Sequence, residues 1–356
     1  MAIYRIITNE PAVERQLHKS DPSEDVRLSS SKTLTDFCSR KEKYFQISRD
    51  CVCRGSSVTF SLYKQKGMNF QVLIRAGESA PVAVDEKIHA LVLEDAACEI
   101  VIDDTDKAAY RAYLETLSDS SRLAGPEYLR RKGTAIKENS KMLMKDLLAD
   151  PRSGEKIKEA GNAVANIADS IIENKDMIYN MLSLSKYDYY TYTHCVNVAV
   201  LSIGMGIGVG LKGEKLKELG IGAMLHDVGK TAVPPEILNK QGKLDAYEFR
   251  RIQEHVREGE LLLRQRKEFP DEAYGAVLEH HEKISGTGYP NKLSGSGIGL
   301  YGRITGIADC YDALTTQRAY KKALTPFEAL RIIAGEKADY DPSLLSEFVK
   351  MLGKMG

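Results

Sequence analysis

The chain has 356 residues, of which 43% are hydrophobic and 28% charged, with 50 basic and 50 acidic side chains. This length predicts two domains, each with its own core, and the composition is that of an ordinary globular protein. A formal net charge of zero excludes a nucleic-acid polymer as a bulk electrostatic partner, but it allows a local basic pocket for a small anion.

The cysteines and the apolar segments indicate the cell compartment. The six cysteines are scattered and form no CxxC pair, which argues against a zinc ribbon. Cys51 and Cys53 form a CxC pair on a predicted strand, where alternation turns them to opposite faces. The N-terminus has no signal-peptide pattern, and the apolar stretch 195–211 is short for a membrane span and is interpreted as a buried core helix. We therefore expect a cytoplasmic protein with reduced cysteines and no membrane partner.

Residues 1–110 are predicted to form a small β-rich domain. Partial alternation of β-branched and aromatic residues indicates strands, which turn-like sequences such as QKG and AGESAP separate. A helix is predicted at 84–96, packed on the sheet. The predicted strands are 43–50, 57–65, 69–77 and 98–104. A regulatory or sensory role for this domain follows from the architecture alone.

From about residue 105 onward, apolar residues recur at spacings of three and four, which indicates helices. Residues 111–150 are predicted to be a helical linker, serving as a connector or as the stalk of a homodimer. Residues 151–356 are predicted to be an all-helical bundle, and the helices of 153–184 are equally well interpreted as its first core helices. The fold class is therefore mainly α, with a smaller α+β domain in front.

Five of the seven histidines fall in the helical domain, in blocks about one helix and one loop apart. A helical bundle can bring such blocks to one centre, although each block alone is more often an ordinary buried histidine. Imidazoles and aspartates without thiolates suit iron, manganese, cobalt or zinc, and seven ligands are too many for one ion. The seven residues are His194, His226, Asp227, His255, His280, His281 and Asp309, and a further carboxylate, Asp312, lies one helical turn after Asp309 on the same face.

An aspartate that directly follows a histidine can bridge two ions, so the pattern predicts a two-metal site where a bridging hydroxide attacks a phosphoester. Lys230 lies three residues after Asp227 and could take up charge on a phosphate oxygen; alone, it would be interpreted as a solvated lysine near a helix end. Tyr289 stands between Gly288 and Pro290 in a glycine-rich loop. Such a ring suits stacking on a nucleobase, and the alternative is a plain surface loop.

Three ordered motifs resemble the HD-GYP family, a branch of the HD phosphohydrolases. They are HDVGK (226–230), HHEKISGTGYP (280–290) and RITGIADCYDALTTQRAYKKAL (303–324). The resemblance spans about residues 185–345. It implies a bacterial phosphodiesterase that hydrolyses cyclic di-GMP to linear pGpG, GMP or both, with some family members preferring cyclic GMP-AMP. It also implies two divalent ions, iron or manganese.

The resemblance assigns a role to each matching position. Asp227 is the bridge and, with Lys230 at the scissile phosphate, the catalytic pair. One ion would be held by His194, His226, Asp227 and Asp309, and the other by Asp227, His255, His280 and His281. The substrate site would comprise Lys230, Gly288, Tyr289 facing a guanine, Asp312, and Arg318 and Lys321 at the phosphates or bases.

Two positions depart from the family pattern. Some members hold a third metal with a glutamate where this chain has Tyr190, and Asp188 is out of helical phase for that role. The prediction is therefore a binuclear site. Ser285 stands where an aspartate is common, which bears on the rigidity of the loop more than on catalysis.

Two other functions stay open at this stage. A general HD phosphohydrolase acting on nucleotides or monoesters would have little use for Tyr289 and Arg318. A catalytically silent receptor or scaffold for cyclic dinucleotides would signal through the N-terminal domain, but every expected metal ligand is present in the sequence. The motifs do not separate cyclic di-GMP from cyclic GMP-AMP.

Overall fold

The computed structural model describes residues 43–353, except for 68, 76–79, 96–97, 119–124, 183–190, 241, 265, 317–322 and 337. The sequence predictions for Arg318, Lys321, Tyr190 and Asp188, and those for residues 1–42, lie outside these described residues. Within them the chain is mostly helical and begins with a small antiparallel sheet, so the predicted fold class is confirmed.

The sheet occupies the first part of the described chain. Its strands are β1 (Tyr44–Gln46), β2 (Ser57–Val58), β3 (Leu62–Lys66), β4 (Asn69–Ile74), β5 (Val82–Ala83) and β6 (Glu99–Asp103). Four of them form a sheet in the order β1-β6-β3-β4, and β2 pairs separately with β5. All the pairs are antiparallel.

Two strand predictions need correction. The predicted strand 57–65 is divided into β2 and β3, because the backbone N–H of Ser61 donates to a carboxylate oxygen of Asp106, 3.1 Å away. Cys51 lies in a 3-10 turn, not on a strand, and both Cys51 and Cys53 are buried. The turn is held from outside the sheet, since the hydroxyl of Tyr113 donates to the Cys51 carbonyl at 2.6 Å.

The helices account for most of the remaining chain. They are α1 (Glu86–Leu93), α2 (Lys107–Leu117), α3 (Gly125–Ala149), α4 (Gly154–Glu173), α5 (Asp176–Leu182), α6 (Thr191–Gly208), α7 (Glu214–Leu225), α8 (Pro235–Leu238), α9 (Ala246–Gln253), α10 (His255–Arg264), α11 (Tyr274–Glu279), α12 (Leu300–Thr315), α13 (Pro326–Gly335) and α14 (Pro342–Gly353). Among the described residues, no helix combines the length and the apolar character that a membrane span requires.

The helix α3 packs against the sheet as well as against the helices. The ammonium of Lys141 donates to Glu138 at 3.0 Å and to the carbonyl of Gln46, on β1, at 3.4 Å. The ring of Phe45, also on β1, stacks on Tyr192 in the first turn of α6 at 6.0 Å between centroids. The sheet and the helices consequently share one continuous hydrophobic core.

Helices α6 and α7 form a hairpin that brings the first two predicted ligands together. Most of the segment 195–211, predicted to be a buried core helix, lies in α6, which is buried over most of its length, and 209–211 follow the end of the helix. A Cβ at Gly206 would lie 2.8 Å from both Leu216 and Leu219, so this glycine lets the two helices approach closely. Since α6 and α7 run in opposite directions, the start of α6, with His194, comes beside the end of α7, with His226.

Candidate metal centre

Five separate segments carry the predicted ligands, and most ligands stand at helix ends. His226 and Asp227 follow α7 directly, and His280 and His281 follow α11. His194 lies in the first turn of α6, His255 begins α10, and Asp309 lies within α12. All of them except His281 and Asp309 are almost completely buried.

The ligand atoms converge in two groups. One contains Asp227, His255, His280 and His281, and the other contains His194, His226 and Asp309. Within each group the nitrogen and carboxylate atoms all lie within 4.8 Å of one another. The structure therefore brings together all seven residues that the sequence predicted as ligands, divided into the two sets expected from the resemblance.

Asp227 contacts both groups. Its Oδ1 lies 3.3 Å from Nε2 of His255, in one group. Its Oδ2 lies 3.4 Å from Nε2 of His226 and 3.5 Å from Nε2 of His194, in the other. A carboxylate whose two oxygens face different sets of imidazoles has the arrangement that a bridging ligand needs.

Local hydrogen bonds fix the orientation of three imidazoles. Nδ1 of His226 lies 2.7 Å from the Ala223 carbonyl, and Nδ1 of His255 lies 2.6 Å from the Ile252 carbonyl. His280 makes the same kind of contact with the carbonyl three residues before it, at 2.9 Å. A carbonyl only accepts, so Nδ1 carries the proton in each ring, which leaves Nε2 as the ligand atom.

The protonation state of His255 and His280 also suits ligation. Burial lowers the pKa of His255 to about 4 and that of His280 to about 3, so both are neutral near pH 7. Burial also opposes the charged form of His194, but hydrogen bonds to Asp309 and Asp312 outweigh it and raise its pKa to about 9. Burial likewise opposes ionisation of Asp227, yet His226 and Lys230 hold its pKa well below the usual value.

Two buried atoms in the centre make no hydrogen bond within the described residues. They are Nε2 of His226 and Oδ1 of Asp227. Leaving a buried polar atom unpaired is costly, so such atoms call for a partner. Imidazole nitrogens and carboxylate oxygens are borderline to hard ligands that suit divalent transition metals. The residues present thus fit the ions that the sequence predicts, without identifying the metal.

Asp312 lies directly beside one of the predicted ligands, His194. It is 3% exposed, and its Oδ2 accepts from Nδ1 of His194 at 2.7 Å. Its Oδ1 accepts from Asn197 at 2.8 Å and from Thr316 at 3.2 Å. Both oxygens are occupied inside the protein, so Asp312 is placed to orient His194, and its predicted role in the substrate set stays a prediction.

We expect Asp312→Asn to weaken metal binding about tenfold to a hundredfold, the range for residues that orient a ligand. An asparagine has one acceptor oxygen, so it cannot serve both His194 and Asn197. A competitive chelator titration measures the change. Thr316→Val is the matched control, since it removes only the 3.2 Å contact to Oδ1 and leaves the His194 contact intact. Equal affinities for wild type and Asp312→Asn would contradict this role.

Lys230 lies at the outer side of the centre. Its ammonium donates to Oδ2 of Asp227 at 2.5 Å, while its side chain is 22% exposed, against 1% for Asp227. Lys230 therefore lies between the buried ligands and the solvent. Its position in the 3-10 turn Val228–Ala232, directly after the ligand pair, keeps it close to them.

The glycine-rich loop packs directly on one ligand. The Tyr289 ring stacks on His281, with 4.6 Å between centroids and 29° between planes, and the Phe249 ring meets Tyr289 edge-on at 6.4 Å. A Cβ at Gly288 would lie 2.5 Å from the backbone of His281 and Glu282. Glycine is required for this approach, which holds the loop against the metal centre.

Glu282 is a functional residue that the sequence analysis did not assign. Its two carboxylate oxygens accept from the backbone N–H groups of Asn291 at 2.6 Å and Leu293 at 2.9 Å. It therefore fastens the end of the loop and does not act as a ligand. Its position directly after the two histidines was the only available signal, because the backbone N–H groups that donate to such a carboxylate cannot be read from sequence spacing.

Most of the helical region matches a known protein family. Residues 176–344 match a family model described as HD domain. Residues 176–344 are an HD domain. The resemblance seen in the motifs is thus confirmed at the level of the family, and the ligand groups above lie within this HD domain.

Two similar proteins are both named as phosphodiesterases of cyclic dinucleotides. A cyclic di-GMP phosphodiesterase of Pseudomonas aeruginosa is 34% identical over 235 residues, which is 65% of this chain and 56% of that protein. The 3′3′-cGAMP-specific phosphodiesterase 2 of Vibrio cholerae is 44% identical over 123 residues, 34% of this chain and 24% of that protein. The match thus spans about half or less of these relatives' lengths.

One solved structure shares the fold over most of the chain. It is an HDG"Y"P protein, Bd1817, from Bdellovibrio bacteriovorus, with a TM-score of 0.66 and 19% sequence identity. The match covers 87% of this chain and 99% of that one. Because it extends beyond the HD domain, the shared fold includes part of the N-terminal region.

Proposed function

We propose that the protein is a metal-dependent phosphodiesterase that hydrolyses cyclic di-GMP to linear pGpG, GMP or both. The observation that carries the proposal is the convergence of seven histidine and aspartate side chains in two groups, with Asp227 in contact with both. The cyclic di-GMP phosphodiesterase of Pseudomonas aeruginosa, 34% identical over 65% of this chain, supports the substrate class.

In this proposal the two groups would hold two divalent ions, iron or manganese, with Asp227 as the ligand common to both. When bound, the ions would supply an activated water and neutralise charge on the phosphate. The chain itself would keep His255 and His280 neutral through burial, and would orient them and His226 through their Nδ1 hydrogen bonds. It would also exclude bulk water, since Asp227 and the ligands around it are buried.

Lys230 would meet the scissile phosphate. Its ammonium lies on the solvent side of Asp227, where a substrate has to enter, and a positive charge there would stabilise the negative charge that develops on the phosphate oxygens. Tyr289 would present to a guanine the ring face that is turned away from His281. Gly288, Arg318 and Lys321 complete the proposed substrate set, and the last two lie outside the described residues.

Cyclic GMP-AMP is the second candidate substrate. The relative from Vibrio cholerae that is 44% identical over 123 residues is specific for 3′3′-cGAMP by its name. A silent receptor is less favoured, because a receptor has no need for two complete groups of metal ligands.

The domain division into 1–110, 111–150 and 151–356 and a homodimer through 111–150 belong to the same proposal. Helix α3 buries many side chains within its own chain, so a dimer would have to use the remaining surface of the helix. The cytoplasmic location stays a prediction from cysteine usage. The described cysteines are buried and unpaired.

A product assay tests the proposal. Protein purified without oxygen and loaded with iron or manganese would be incubated separately with cyclic di-GMP and 3′3′-cGAMP, beside Asp227→Ala, and the products separated by chromatography. We expect linear dinucleotide or GMP from wild type and none from the variant. Tight binding without product, in protein that carries two ions per chain, would point to a receptor. Equal turnover of a nonspecific diester would point to a general phosphohydrolase.

A further inference from the structure

Three consecutive residues between α13 and α14, Asp339, Tyr340 and Asp341, contact two different parts of the HD domain. We name them the brace. The Ser285 hydroxyl donates to Oδ1 of Asp339 at 2.6 Å, and the Ile284 backbone N–H donates to the Asp339 carbonyl at 3.1 Å. These two bonds fasten the beginning of the glycine-rich loop.

The other two residues of the brace extend these contacts. The ammonium of Lys283 donates to the Tyr340 hydroxyl at 2.6 Å and lies 3.9 Å from the centre of its ring. The guanidinium of Arg303 donates to Oδ2 of Asp341 at 2.7 Å. Arg303 is in the first turn of α12, the helix that carries Asp309. The brace thus joins the loop to a helix of the metal centre.

The hydrogen bonds continue from the brace toward Tyr289. The Thr287 hydroxyl lies 2.9 Å from that of Ser285. Because Ser285 gives its proton to a carboxylate, Thr287 is the donor in this second bond, two residues before Tyr289. The end of the loop is fastened separately, by the two N–H groups that Glu282 accepts. Tyr289 is therefore held between two independent attachments.

We propose that Asp339, acting through Ser285, is a positioning residue that sets the place of Tyr289 and hence the affinity for substrate. This inference rests on the proposed function, since it identifies how the same site holds its ligand. It also accounts for the departure at position 285, because Asp339 supplies from another segment the carboxylate that Ser285 lacks. Among the contacts described above, those between the loop and the metal ligands all involve His281.

Kinetics of paired variants test the inference. Loss of a hydrogen bond to a half-exposed carboxylate by Ser285→Ala should raise KM about fivefold to tenfold, with kcat changed less than about threefold. Ser285→Asp should raise KM further, because two carboxylates would meet. The exchange Ser285→Asp with Asp339→Ser restores one donor and one carboxylate, and should return KM toward wild type. Ser296→Ala, an exposed serine of the same loop, is the control.

Amide hydrogen exchange supplies a readout that does not depend on turnover. In the metal-loaded protein, Ser285→Ala should increase deuterium uptake by the peptide that contains residues 283–289, and the exchanged pair should reverse the increase. Faster exchange with an unchanged KM would overturn the inference, since the brace would then hold the loop without affecting substrate. Unchanged exchange and unchanged KM would overturn it as well.

The two proposals fail in different ways. If wild type turns over neither cyclic dinucleotide, the proposed function is wrong. The variants are then compared by the dissociation constant of cyclic di-GMP, measured by calorimetry, in place of KM. A rise in that constant for Ser285→Ala, reversed in the exchanged pair, would still support the brace. Absence of any binding by wild type would overturn both proposals.

Discussion

Asp227→Asn is expected to lose both metal ions and at least about a thousandfold in activity, the scale seen when a central catalytic group is removed. The two oxygens of Asp227 face different groups, with Oδ1 3.3 Å from His255 and Oδ2 3.4 Å from His226. Asparagine offers one neutral oxygen and an NH₂ group that cannot ligate a metal. Asparagine therefore replaces neither the two donor oxygens nor the charge that offsets two cations, so both groups lose affinity for their ions.

Variants of single-group ligands provide the comparison. His194→Ala and His281→Ala each remove a ligand from one group only, so each should retain about one ion per chain while losing most activity. Elemental analysis after gel filtration measures the ions. Asp271→Asn, an exposed aspartate in another part of the domain, should keep two. Retention of both ions by Asp227→Asn would show that the two groups are independent and would contradict the bridging role.

Local sequence patterns were sufficient to predict which histidines and aspartates come together. Five of the seven predicted ligands lie in short motifs whose neighbours fix their place on a helix or at a helix end, as His226 and Asp227 do after α7. The same patterns could not assign Asp312. A spacing of one helical turn puts Asp309 and Asp312 on one face, but only the fold shows that Asp312 meets Nδ1 of His194, a residue 118 positions earlier.

The other features that the sequence analysis missed also depend on contacts between residues far apart in the chain. Asp339 meets Ser285 across 54 positions and carries no local pattern that marks it as a partner of the loop. The division of the predicted strand 57–65 has the same origin, since Asp106, 45 positions later, takes the N–H of Ser61 out of the strand. Periodicity reports which face of an element is buried, and it does not report which distant side chain satisfies a backbone group.

Substitution of Gly229, the glycine of the HDVGK motif, should be as harmful as substitution of Asp227, but because of backbone packing and not because a ligand is lost. A Cβ at Gly229 would lie 1.9 Å from the carbonyl oxygen of His255 and 2.4 Å from the nitrogen of Gly259. Both atoms belong to the backbone of α10, so no side-chain rotation can relieve the overlap. Gly229 thus allows the turn that carries Lys230 to lie directly on the start of the helix that carries His255.

We expect Gly229→Ala to lower the free energy of unfolding by more than about 4 kcal/mol, beyond the usual cost of overpacking because backbone has to move. Urea denaturation of the metal-free protein measures this. Gly306→Ala is a graded comparison. Its Cβ would lie 2.7 Å from the His280 carbonyl, a smaller overlap, so a loss of about 2 kcal/mol is expected.

Gly161→Ala is the matched control, because Gly161 lies within α4 and a Cβ there would meet nothing within 4 Å. Alanine is the better helix former, so this variant should be more stable than wild type by up to about 1 kcal/mol. The order of the three variants is the decisive result. If Gly229→Ala were as stable as Gly161→Ala, the close contact between the HDVGK turn and α10 would be wrong, and with it the route by which Asp227 reaches His255.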